Sequence, residues 1–188
     1  MVTPNLFQPV ITPKAGGVTS IWKVIESFEF LDSLQSSKTF NFTPIDFSNV
    51  SMLVLETDKD NQSSGSNANL NIIVNGITNA VYFQDGSFID TFPVSETIID
   101  INSANQFQIG GIMENSRSNS FFVYFQLNSN RLSVQLNGNR QSALSGGKSY
   151  KTTGKINQNI TSVNSIQVSI SPSLFKIGSR MSLYQVSR

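Results

Sequence analysis

The chain has 188 residues, a formal net charge of +1, charged residues at 13%, and neither Cys nor His. The missing Cys and His exclude disulfides, Cys/His zinc sites and nucleophile–histidine dyads or triads. A near-neutral chain with no basic stripe has nothing to hold a phosphate backbone by bulk electrostatics, so no nucleic-acid partner is expected.

The length suits one domain, with or without an arm, and is enough to bury a core unaided. The 29 Ser and 20 Asn supply polar surface without charge. Both compete with backbone hydrogen bonds inside helices and suit turns and outward strand positions. Residues 1–20 carry Pro4, Pro9, Pro13 and the Gly16-Gly17 pair, which interrupt helix and ladder alike. Leu6, Phe7, Val10 and Ile11 are nevertheless apolar. The pattern predicts an extended N-terminal arm over residues 1–20 whose four apolar side chains are assembly contacts on a neighbouring subunit.

From residue 21 to 188 the chain reads as a β-sandwich domain. Trp22, Val24, Phe28 and Phe30 fall at even spacing, as if on one face, with Trp22 expected in the core or under the arm. Thr39-Phe-Asn-Phe42 alternates, and Met52-Leu-Val-Leu-Glu56 is an apolar run of strand length. Leu70 to Val74 runs into Asn75-Gly76, a hairpin-turn dipeptide, and Asp85-Gly86 reads as a further turn. Phe88 to Phe92, Thr97 to Ile101 and Phe107 to Met113 follow as short strands. Phe121-Phe-Val-Tyr-Phe125 is apolar on both faces, the mark of a strand buried on two sides. It predicts either a central sandwich strand or an oligomer seam, with Phe121 and Phe125 as candidate contacts. Its mate, Arg131 to Leu136, ends at Asn137-Gly138. Segments around 150–156, 166–170 and 181–186 complete ten to twelve strands. The one helical candidate, near 33–38, is at most a single turn.

Sites of chemistry are sparse. Asp58-Lys-Asp60-Asn61 resembles the start of a calcium loop. Ser63 and Asn69 stand where such a loop needs Gly and Glu, so a solvated hairpin tip is expected and no metal is assigned. Asp85, Asp90, Glu96, Asp100 and Glu114 contain the residue types of a glycosidase pair, but surface and turn acids are the expected reading. No cofactor is implied. No apolar run approaches the about 20 residues that span a bilayer, and the N-terminus lacks the basic and apolar regions of a signal peptide.

The order of motifs resembles a widespread group of small structural proteins of tailed phages. The motifs are Trp22-Lys-Val-Ile-Glu-Ser-Phe-Glu-Phe30, Lys38-Thr-Phe-Asn-Phe42, Phe47-Ser-Asn-Val-Ser-Met-Leu-Val-Leu-Glu56, Leu70-Asn-Ile-Ile-Val-Asn-Gly76, Ile166-Gln-Val-Ser-Ile170 and Gly178-Ser-Arg-Met-Ser-Leu-Tyr184. The resemblance covers residues 21–188. It departs at Gln185, where the group has Gly after the terminal Leu-Tyr. It implies an all-β, jelly-roll-like antiparallel sandwich and a non-enzymatic virion protein made in the host cytoplasm and placed on the particle surface. A capsid decoration protein is the expected role, as a homo-oligomer, a trimer above all, beside other virion proteins. A tail-fibre or receptor module that binds a host-surface glycan is the alternative.

Overall fold

The computed structural model describes residues 21–31, 35–48, 50–58, 68–79, 81–91, 94–113, 118–141, 147–171, 174–175 and 177–187. Leu6, Phe7, Val10 and Ile11 lie outside them, as do Asp60, Asn61 and the rest of residues 59–67.

Among the described residues twelve strands follow in order: β1 Ile21–Glu29, β2 Ser37–Ile45, β3 Val50–Asp58, β4 Ala68–Val74, β5 Tyr82–Thr91, β6 Val94–Ala104, β7 Phe107–Met113, β8 Ser118–Asn128, β9 Arg131–Gln141, β10 Gly147–Ile156, β11 Val163–Ser171 and β12 Arg180–Ser187. No helix occurs among the described residues. The strands form an eight-stranded sheet, β1-β12-β3-β8-β9-β10-β5-β6, and a four-stranded sheet, β2-β11-β4-β7. Every pairing is antiparallel, so the fold is the expected jelly-roll-like sandwich.

Alternation decides the core. Leu53, Phe121, Val123, Phe125 and Leu183 of the large sheet pack with Phe40, Leu70, Ile72, Val74 and Ile166 of the small one, all fully buried. Each such side chain is worth roughly 1.5–3 kcal/mol of transfer free energy. Pro44 sits in β2, an edge strand, where a missing N–H does least harm.

Polar side chains tie the two layers together. The Gln84 amide behaves like a length of strand. Its Oε1 accepts from Gln108 N at 2.8 Å while its Nε2 donates to Gln108 O at 2.7 Å and to Thr152 Oγ1 at 3.2 Å. The Tyr82 hydroxyl accepts from Val74 N at 3.1 Å and donates to Ile77 O at 3.0 Å. At the opposite margin Lys38 of β2 ion-pairs with Glu26 of β1 and lies over the Phe28 and Phe40 rings.

Three turn expectations are corrected. Asn75 and Gly76 adopt the expected left-handed turn, with φ of 52° and 66°. The turn carries the chain from the four-stranded sheet into the eight-stranded one and is not a hairpin. Asp85-Gly86 and Asn137-Gly138 lie inside β5 and β9. A Cβ at Gly138 would come within 2.1 Å of the Phe121 ring, and one at Gly86 within 2.4 Å of Lys151 O, so these glycines make room for close neighbours. Among the described residues a tight hairpin joins β8 to β9 and turns on Ser129 and Asn130, both at positive φ. Gly178 is a turn residue too, with φ 87° and open space around it.

Candidate functional site: the outer face of the large sheet

The outward side chains of the eight-stranded sheet line up in cross-strand rows. One row runs Val24, Tyr184, Val54, Tyr124, Gln135, Thr153, Asp85, Asp100. The next runs Ser182, Glu56, Phe122, Asn137, Lys151, Ser87, Ile98. The first row is aliphatic and aromatic over β1, β12, β3 and β8, whereas the second carries Ser182 and Glu56 before Phe122. The face turns to amides and hydroxyls over β9 and β10, and carries acids over β5 and β6.

The apolar end is a small cluster of its own. Val54 is fully buried yet does not belong to the inter-sheet core; its register neighbours are Tyr124 and Tyr184. The Trp22 ring meets Tyr184 edge-on at 5.8 Å between centroids. A bulge between Val24 and Glu26 switches the parity of β1, leaving Trp22 and Val24 outward while Phe28 packs on the core. Trp22 is thus not a core residue: it is 50% exposed, and Ile21 and Val24 beside it are 64% and 46% exposed. The Tyr184 hydroxyl donates to Glu56 Oε2 at 3.1 Å on this face. Burial pushes its pKa up, a hydrogen bond with Ser182 opposes that, and the Glu56 charge adds to the rise.

Phe121 and Phe125, expected as assembly contacts, are fully buried within the chain and have no area left for a sister copy. The outward residues of the same strand, Phe122 and Tyr124, hold the exposed positions. The sequence showed that both faces of β8 were apolar; it could not say which parity pointed inward.

Two hollows adjoin this face. A cleft of about 510 Å³ opens between the edges of β1 and β2, bordered by Val24, Ile25, Phe42, Pro44, Asp46 and Gln185. Asp46 there accepts from the Ser48 N–H and hydroxyl, which hold its carboxyl below the ordinary range. A shallower basin of about 210 Å³ lies over β8, β9 and β10 beside Phe122.

Of the five acids considered, Asp85 and Asp100 are brought opposite each other across β5 and β6. Both are exposed on an open sheet, and Asn102 Nδ2 donates to Asp100 at 2.9 Å. Glu96 is exposed nearby, Asp90 lies on β5, and Glu114 lies outside the described residues. Among the described residues no three acids gather to hold a metal ion, and no helix is long and apolar enough to cross a membrane.

No protein-family model matches the chain, and no curated protein matches it. Solved structures do. A peanut lectin bound to a nine-residue peptide aligns over 94% of this chain and 96% of its own, at 11% identity and a TM-score of 0.37. The CBM2 module of the evolved Dit protein of Lactobacillus casei BL23 phage J-1 aligns over 91% and 99%, at 8% identity and a TM-score of 0.38. Both are β-sandwiches, and the likeness ends with that architecture.

Proposed function

We propose that the chain is a non-enzymatic structural protein of a virion, which associates with copies of itself through the apolar end of the large sheet. The observation that carries this reading is the uncovered cluster of Ile21, Trp22 and Val24 on β1, continued across the face by Tyr184 and Tyr124. Large side chains left in water on an edge strand and the adjoining face are the usual mark of an interface. Lys23 and the bulge after Val24 blunt the strand edge against indiscriminate pairing, so the contact is made by side chains on the face. The occupant is a second copy, because the cluster is apolar and a net charge of +1 offers little self-repulsion between copies.

The virion placement rests on the motif order of residues 21–188, and a head-surface role is preferred to a fibre because no repeat of the kind a shaft needs occurs in the sequence. Detection of the chain in purified particles by peptide mass spectrometry tests the placement. Sedimentation velocity tests the association: the wild-type chain forms a closed oligomer, a trimer on this reading, and Trp22→Ser weakens it. A chain that stays monomeric at high concentration overturns the proposal. Binding of a host-surface glycan is the second reading, favoured by the basin beside Phe122.

A further inference from the structure

We infer that the basin on β8, β9 and β10 is a binding site for an acidic saccharide, a role separate from self-association.

Its geometry follows from the register. Two parallel cross-strand rows border it: Phe122, Asn137 and Lys151 on one side, Ser120, Asn139 and Ser149 on the other. Neighbours within a row stand about 4.8 Å apart and the rows about 7 Å apart. The floor is main chain, at Gly138 and Tyr150, whose own positions are buried. The result is a hollow of about 210 Å³, smaller than the about 300–1,000 Å³ of sites for drug-sized ligands and open to solvent.

The chemistry of the rim selects the ligand class. Phe122, 36% exposed, offers an apolar ring face at one corner. Two amides and two hydroxyls offer donors and acceptors along both sides, and Lys151 offers one cation. A purely apolar ligand meets one aromatic ring and loses water from four polar groups. A peptide strand needs a free sheet edge, but β8, β9 and β10 are interior strands paired on both sides. Nucleic acid needs several cations in a track, and the rim has one. A pyranose ring carries an apolar face for Phe122 and hydroxyls for the amides and serines. A carboxylate, phosphate or sulfate on it satisfies Lys151, for which no ion pair occurs among the described residues. Glu56 stands on the far side of Phe122, three strands or about 14 Å from Lys151, and sets the end at which the anionic group does not lie.

The test uses the full chain on an array of uronic acid-, sialic acid- and phosphate-bearing saccharides with their neutral counterparts, followed by amide chemical-shift titration with the strongest binder. Expected are shifts confined to the neighbourhood of 120–122, 137–139 and 149–151, and about tenfold weaker binding in Lys151→Ala and in Asn137→Ala. Both positions point to solvent, so thermal unfolding is unchanged in the variants. A blank array overturns the inference, as does binding that both variants retain in full. Equal binding of acidic and neutral counterparts overturns the selection for an anion. Because neither variant touches Trp22 or Tyr184, loss of saccharide binding with the oligomer intact separates this inference from the association proposed above.

Discussion

At the scale of single residues, the side chains that matter most for stability are polar ones that join the sheets. Gln84 is 3% exposed and satisfies both main-chain groups of Gln108. Gln84→Leu leaves the part-buried N–H and carbonyl of Gln108 without this partner, and chemical denaturation should show a loss of about 2 kcal/mol. Tyr82 gives a pH-dependent counterpart. Burial raises its pKa, partly opposed by the Val74 N–H. The unfolded chain therefore releases this proton first, near pH 10, while the folded chain keeps it to higher pH. The Tyr82 contribution is intact below pH 10 and is lost as pH rises through the folded value. Tyr82→Phe should cost about 1 kcal/mol at neutral pH through the lost hydrogen bond, and denaturation midpoints should then fall less steeply above pH 10 than in the wild type. Neither residue was visible as a tie in the sequence, since what each touches is a main-chain group on the other sheet.

At the scale of elements, alternation placed most strands well, and glycine misled where it serves packing. The segment 107–113 was legible to the residue, and the apolar run at 121–127 lies within β8. Asn137-Gly138 has the composition of a hairpin turn, but Gly138 is there because the Phe121 ring fills the place of its side chain. Gly138→Ala should cost about 2–3 kcal/mol by thermal or chemical unfolding, since that ring is held in the core and cannot step aside. The β8–β9 hairpin turns on two left-handed residues, Ser129 and Asn130, for which left-handed backbone is costly or merely tolerated. Replacing the pair by Asn-Gly should raise stability by about 1 kcal/mol, measured in the same way. Ser and Asn are too abundant in this chain for such a turn to stand out by composition.

At the scale of the whole molecule, the sandwich presents one continuous face that passes from aromatic to amide-rich to acidic. Association through its aromatic end is driven by apolar surface, so the oligomer seen by sedimentation should persist at about 1 M salt, where screening reaches about 3 Å. An oligomer that dissociates on adding salt would point to ion pairs between copies at the contact. The sequence by itself determined the all-β class, the centres of most strands and the absence of Cys- or His-based chemistry, because period-two alternation and residue inventory are local properties. Only the tertiary structure decided which parity of β8 faces the core, that the bulge after Val24 turns Trp22 outward, and that Phe122, Asn137 and Lys151 stand in one row. Those outcomes depend on register between strands far apart in the chain, and a shift of one residue exchanges the two faces.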